Sequence, residues 1–271
     1  MLIRHKLPGA VINAVLFDFD GTISTLRSGW EKVMAPLMIE VLSECPGSPN
    51  GEELERYVER YIDESTGIQT IFQMKWLAEK VREFGRTPID PWDYKAEYNR
   101  RLMLNVEKKK QDLLTGKAEP DEYLMAGSVC FLHMLREAGV AIYVASGTDH
   151  CDVIREATAL KVIDLFDEIA GAPEHQENCS KEAVLKKLIA DKHLCGNSIC
   201  VIGDGKVEIM LGNSVGALTI GIASDENARH GVNPVKQERL IKADADIITG
   251  DFRESEKLMS IIKAERDHEL R

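Results

Sequence analysis

The apolar residues of this chain change their period twice. Ala14-Val15-Leu16-Phe17 is a continuous apolar run, the pattern of a short strand covered on both faces in a parallel sheet. It predicts a first strand over 13–19. From Arg27 to Leu114 the period turns helical. Trp30, Val33, Met34, Leu37, Met38, Val41 and Leu42 recur at three- and four-residue spacing. Ser28 and Glu31 read as a capping box at the head of that helix, and Pro36 as a kink inside it. Leu54, Tyr57, Val58, Tyr61 and Ile62 mark a second helix. A third runs over 68–84 and stops at Pro88-Ile89-Asp90-Pro91, and a charged fourth covers 92–113. Beyond a linker at 115–120 the pattern alternates. A helix over 123–138 ends at Gly139, a strand over 140–145 leads to a turn at 146–148, and a helix covers 150–160. A strand over 168–170 and a helix over 181–191 follow, then strands over 198–203, 217–222 and 246–249. Residues 1–10 fit an extra edge strand or a frayed arm.

Strands alternating with helices imply an α/β protein with a doubly wound, mostly parallel sheet. The all-helical stretch is then an insertion after the first strand. The division expected is 1–24 with 116–271 as a core and 25–115 as a helical cap. Ligands in such sheets bind at the carboxyl ends of the strands. The insertion leaves from that end of the first strand, so it is placed to act as a lid.

Composition narrows the class. Apolar residues make up 44% of the 271, enough for a real core, and the net charge of −11 argues against a general nucleic-acid binder. The six cysteines, Cys45, Cys130, Cys151, Cys179, Cys195 and Cys200, form no CxxC pair and read as reduced thiols rather than a disulfide framework. A zinc site from His175 and Cys179 lacks a second half. MLIRHKLPGA has no apolar core of signal-peptide length, and no run reaches membrane-spanning length. A soluble cytoplasmic protein is expected, with no membrane or nucleic-acid partner and an open oligomeric state.

Four clusters at strand ends or helix starts carry candidate chemistry. The first is Asp18-Phe19-Asp20-Gly21-Thr22, with two carboxylates on alternate positions of the predicted strand, facing one spot. Two such anions repel unless a cation or a shared proton compensates. The second is Ser146-Gly147-Thr148, where a hydroxyl and a helix start favour an anion, although Ser146 or Thr148 as a plain helix cap is the simpler alternative. The third is Lys181 beside Ser180, a cation at a helix N-terminus that opposes the macrodipole unless an anion binds there. The fourth is Asp204 with Glu208, oxygen ligands of the sparse kind that suits Mg²⁺.

This order, Asp-x-Asp-Gly-Thr, then Ser, then Lys, then Gly-Asp with Glu208, resembles the haloacid dehalogenase-like (HAD) phosphohydrolase superfamily over residues 15–252. The insertion is similar to the helical cap of phosphoglycolate phosphatase and β-phosphoglucomutase relatives. The resemblance implies a Rossmann-like core and a Mg²⁺-dependent phosphatase acting on a small phosphorylated metabolite, a sugar phosphate among the candidates. Asp18 would be the nucleophile that becomes an aspartyl-phosphate, and Asp20 the general acid and base. Mg²⁺ would lie on the Asp18 and Asp204 side chains and the Asp20 carbonyl, with Glu208 and Thr22 in support. Glu208 stands where many relatives carry Asp. Ser146, the Gly147 N–H and Lys181 would hold the phosphoryl oxygens. Arg27, Gln69, Gln73 and Arg101 are the polar candidates for the rest of the substrate. Lys206 and His150 read as surface residues. A phosphomutase of the β-phosphoglucomutase type and a non-catalytic binding protein on the same scaffold are the alternatives.

Overall fold

A computed structural model describes residues 1–5, 11–173, 181–192 and 194–263. They divide into two compact units, Met1–Ser28 with Asp112–Arg271, and Gly29–Gln111.

The first unit is built on one seven-stranded sheet. In chain order the strands are β1 (Leu2–Ile3), β2 (Ala14–Phe17), β3 (Ala141–Asp149), β4 (Glu168–Ala172), β5 (Ile199–Gly203), β6 (Leu218–Ile222) and β7 (Ile247–Thr249). Their spatial order is β1-β7-β6-β5-β2-β3-β4. Every pairing is parallel except that of β1, which runs antiparallel to β7 at the edge. From β2 the chain first builds outward through β3 and β4, then returns to add β5, β6 and β7 on the other side. The crevice beside β2 is therefore the topological switch point, where ligands enter such sheets. Phe17 is in register with Val144 on one side and Ile202 on the other.

Side chains of β2 alternate between the two faces, as strand geometry requires. Val15 and Phe17 enter the larger core with Phe131, Leu132 and Phe252. There Phe131 stacks on Phe252 with ring centroids 5.3 Å apart, and Phe17 meets Phe131 edge-on at 6.2 Å. Ala14 and Leu16 enter the opposite core with Leu185, Leu188 and Leu211. Leu185 and Leu188 come from the helix Lys181–Lys192, and Leu211 from the helix Lys206–Ser214.

The sheet differs from the pattern in three places. The first strand ends at Phe17 rather than at residue 19, because the chain turns: Ile23 and Ser24 both donate their N–H to the Phe19 carbonyl. The third strand continues to Asp149 through a register irregularity between Ala145 and Asp149, where a turn is expected. The helix expected over 123–138 starts only at Ser128. Gly127 before it is left-handed (φ 80°), and a Cβ there would lie 2.5 Å from the Phe252 carbonyl oxygen. Only glycine accepts both conditions.

The second unit is helical. Its helices are α1 (Glu31–Ser43), α2 (Gly51–Glu64), α3 (Thr70–Glu83) and α4 (Pro91–Leu114). Met34, Leu37, Met38 and Leu42 of α1 pack with Leu54, Val58 and Ile62 of α2 and with Met74, Leu77 and Val81 of α3. Tyr98, Leu102 and Val106 of α4 complete that core. Trp76 stacks flat on Tyr61. The capping box read at Ser28 and Glu31 does not form. The residue before α1 is Trp30, whose side chain makes no cap hydrogen bond, because helical geometry already begins there. Helix α1 runs unbroken through Pro36, which is exposed.

Candidate active site

Asp18 follows β2 directly and keeps the sheet's ladder: its N–H donates to the Ile202 carbonyl at 2.8 Å. Its side chain continues the alternation of Ala14 and Leu16, toward the face covered by the helices that carry Lys181 and Glu208. Lys181 opens its helix, α7 (Lys181–Lys192), and Glu208 lies in the first turn of α8 (Lys206–Ser214). The Lys181 ammonium donates to Asp18 Oδ1 at 2.6 Å and also to Glu208 Oε1. All three residues are buried. Burial pushes the Asp18 carboxyl well above the usual carboxylate range, and Lys181 opposes that rise. Burial alone would lower Lys181, but Asp18 and Glu208 raise it, so it stays an ammonium.

Asp20 does not share that spot. With the strand ended at Phe17, its carboxylate turns toward the end of β3. Oδ2 accepts from Thr148 Oγ1 at 2.8 Å and from Ser146 Oγ at 3.3 Å. Ser146 Oγ in turn accepts the Thr148 N–H at 3.0 Å. Asp20 Oδ1 is buried without a hydrogen-bond partner. The two carboxylates of the motif thus have separate environments, a correction to the expectation that they face one point. Neither Ser146 nor Thr148 caps the following helix, whose cap position is Asp149. Thr148 is an Asp20 ligand that motif reading passed over as a cap. Gly147 lies between them in the strand extension. The Thr22 side chain is fully buried, and its hydroxyl makes no hydrogen bond.

Asp204 follows β5, across the switch point from Asp18. Its Oδ2 accepts from the Lys236 ammonium at 2.5 Å. Lys236 also donates to Glu226 Oε1 at 2.6 Å and to Ser224 Oγ at 3.1 Å, and the Ser224 hydroxyl donates to the Gly21 carbonyl at 2.7 Å. Gly21 (φ 73°) has no room for a side chain, because a Cβ there would collide with the Asp204 carboxylate. Gly203 is required in the same sense: a Cβ would sit 2.5 Å from Glu208 Cγ. Lys236 escaped the sequence reading, although the signal was present. It stands in the first turn of a helix, where a cation opposes the dipole, the same argument that singled out Lys181.

Arg27 is a correction. It was a candidate substrate contact, but its guanidinium is buried in the core. It holds Glu156 at 2.6 Å and Asp152 at 3.2 Å, and its Nε lies 3.9 Å from Asp20 Oδ1. A guanidinium fork matches a carboxylate bidentately, and both Arg27 Nε and Nη2 reach Glu156. Burial pushes Glu156 up to about 7 even with Arg27 pulling it down. That lies above its ordinary 4.5, so the folded protein binds a proton that the unfolded chain gives up between the two values. Stability from this group is therefore lost as pH rises through that window. Arg27→Met removes the opposing cation and raises the carboxyl further. The variant is expected to lose about 3–5 kcal/mol, as when one partner of a buried pair is removed, with a larger deficit at pH 8 than at pH 5. Urea titrations at both pH values test this, and equal deficits would remove the assignment.

The other substrate candidates belong to the helical unit. Gln69 is buried just before α3, and Gln73 is buried and donates to Ser65 Oγ at 3.0 Å. Arg101 is paired with Glu97 at 2.6 Å and Glu40 at 2.8 Å. His150 is exposed, with Nδ1 accepting the Gly171 N–H at 3.3 Å. Lys206 is half-buried at the start of α8. Ser180 and the His175–Cys179 pair lie outside the described residues. Cys45, Cys130, Cys151, Cys195 and Cys200 are free thiols. Among the described residues no helix is long and apolar enough to cross a membrane.

The donor set fits a divalent cation. Asp18 and Glu208 meet the Lys181 ammonium, and Asp204 and Glu226 meet that of Lys236. Glu208 Oε2 is buried without a partner. Among the described residues no group of three or more His, Cys, Asp or Glu side chains forms a ready cage. Asp18 and Asp204, one carboxylate at the end of each neighbouring strand, are the sparse oxygen ligands by which Mg²⁺ is held, through one or two carboxylates plus waters and phosphate.

A doubly wound sheet with an acidic pair after the strand beside its switch point, and a lysine and a second carboxylate pair near its neighbours' ends, defines a Rossmann-like α/β protein with a charged crevice. A family model described as haloacid dehalogenase-like hydrolase matches residues 12–216. The chain belongs to that family. Solved structures share the fold at low identity. A predicted phosphatase from Clostridium acetobutylicum is 17% identical with a TM-score of 0.61, over 93% of this chain and 100% of that one. A predicted phosphoglycolate phosphatase from Haemophilus somnus is 16% identical with a TM-score of 0.59, over 92% and 98%. A β-phosphoglucomutase from Clostridium difficile is 16% identical with a TM-score of 0.56, over 96% and 100%. No curated protein matches the chain.

Proposed function

We propose that the protein is a Mg²⁺-dependent phosphatase that hydrolyses a small phosphorylated metabolite through an aspartyl-phosphate on Asp18. The observation that carries this reading is the separation of Asp18 from Asp20. One carboxylate is gripped by a lysine at a switch-point crevice. The other is anchored by two hydroxyls through a single oxygen, while its Oδ1 makes no hydrogen bond and lies 3.9 Å from the Arg27 Nε.

In the proposed reaction an Asp18 oxygen attacks phosphorus in line with the leaving oxygen, and the P–O bond to the metabolite breaks. Asp20 gives that oxygen a proton, then takes one from the water that cleaves the aspartyl-phosphate. Ser146, the Gly147 N–H and Lys181 hold the phosphoryl oxygens. Asp18, Asp204 and the Asp20 carbonyl would hold Mg²⁺, which when bound neutralises phosphoryl charge and orients the group for attack. The net charge of −11 supports a small-molecule partner rather than a nucleic acid, and the free thiols support a reducing, cytoplasmic setting.

The test is a screen of phosphorylated sugars, organic acids and nucleotides with Mg²⁺, read as released phosphate. Turnover of at least one compound, abolished by a chelator and restored by Mg²⁺, is expected. A screen with neither phosphate release nor a phosphorylated Asp18 by mass spectrometry would sink the phosphatase reading. An isomerised product dependent on a bisphosphate would replace it with a mutase.

A further inference from the structure

The proposed chemistry uses Lys181 and leaves Lys236 without a task. Lys236 belongs to the helix Pro234–Lys242. Asn233 caps that helix, accepting from the N–H groups of Val235 and Lys236. This places an ammonium in the positive first turn of a helix and, at 7% exposure, out of water. A buried charge survives only when paired and hydrogen-bonded. Lys236 meets that condition with three oxygens, those of Asp204, Glu226 and Ser224. An ammonium has three protons, so its donors are all committed.

The consequence falls on Asp204. Its Oδ2 is held by Lys236 and lies where a Cβ on Gly21 would sit, so it is boxed between an ammonium and the motif-one backbone. Its Oδ1 makes no hydrogen bond among the described residues. Asp204 can therefore offer a metal one oxygen and not two. Carboxylate denticity separates the common divalent ions: Ca²⁺ takes six to eight oxygens and accepts bidentate carboxylates, whereas Mg²⁺ demands a compact octahedron of single oxygens.

We propose that Lys236 is a positioning residue that holds Asp204 to one-oxygen coordination and thereby selects Mg²⁺ against Ca²⁺. The proposal rests on the metal-dependent reading above and deepens it. Glu226 accepts a further hydrogen bond from Lys236, and Ser224 links the same ammonium to the Gly21 carbonyl. The first aspartate's loop, Asp204 and the segment after β6 are thus joined through one side chain.

The test is direct titration calorimetry of the full chain with MgCl₂ and separately with CaCl₂, without substrate. Charge changes act on both ions alike, so the ratio of the two dissociation constants isolates geometry. Lys236→Met is expected to move that ratio toward Ca²⁺ by about tenfold or more, the size typical when a partner of a metal ligand is lost. If the single variant does not fold, the double variant Lys236→Met with Glu226→Gln removes one charge of each sign, and the same shift is expected. Glu226→Gln alone keeps the lysine on Asp204 and should leave the ratio unchanged. Equal loss or gain for both ions in the lysine variants overturns the assignment while leaving the phosphatase reading intact. A wild-type protein that binds neither ion overturns both.

Discussion

Asp18→Asn is expected to leave a folded protein whose turnover falls by about a thousandfold or more, as removal of a nucleophile does elsewhere. Asparagine has the shape of aspartate but cannot attack phosphorus. The fold should tolerate it for a reason visible in the site. Burial pushes the Asp18 carboxyl up, so at neutral pH the folded state disfavours the very charge that the substitution removes. Lys181 loses one partner but keeps Glu208. The thermal midpoint in metal-free buffer should therefore be equal to or above that of the wild type. Phosphate release, with mass spectrometry of acid-quenched protein, checks the chemical half: the wild type should carry a transient phosphoryl group and the variant none. Activity within tenfold of wild type would end the assignment of Asp18 as nucleophile.

Asp20→Asn should behave differently, because its side chain is anchored away from the Asp18 ion pair. Thr148 and Ser146 hold Oδ2, and an asparagine oxygen can accept the same hydroxyls, so the fold is again expected to persist. What is lost is proton transfer at the other oxygen. With an alkyl phosphate, whose leaving oxygen needs a proton, the rate should drop by about 10²–10⁴-fold, the usual range for a general acid. With p-nitrophenyl phosphate the leaving group departs unaided, so the first half-reaction should survive. The second half needs a base, so the phosphorylated enzyme should accumulate. Rapid mixing should show a burst of nitrophenol matching the enzyme concentration, followed by a stall. Equal losses on both substrates with no burst would remove Asp20 from proton transfer.

Much of the architecture was legible before any coordinates. The run Ala14–Phe17 announced a strand covered on both faces, and it lies inside the sheet between β5 and β3. The change to helical period after Arg27 announced the insertion, and Met34, Leu37, Met38 and Leu42 do form one buried stripe. These features survive in a sequence because burial is written locally, in periods of two or three to four residues. The order of the candidate motifs was legible for the same reason, each being a short segment at the end of an apolar run.

Side-chain partnership was not legible in this way. The sequence by itself determined that two carboxylates stand two residues apart and that a serine, a lysine and a second acidic pair follow in order. Only the tertiary structure decided that Asp18 and Asp20 part company. That depends on the strand ending at Phe17, and on which helix covers which face of the sheet. Arg27 read from the sequence as a polar candidate for contact with substrate. It is buried because Glu156, 129 residues later, arrives on a helix packed against it. Lys236 is fixed by Asp204, 32 residues earlier, in a contact that no local period encodes. Such pairings are set by strand register and by the direction of Cα–Cβ bonds across the switch point, quantities that exist only once the sheet has formed.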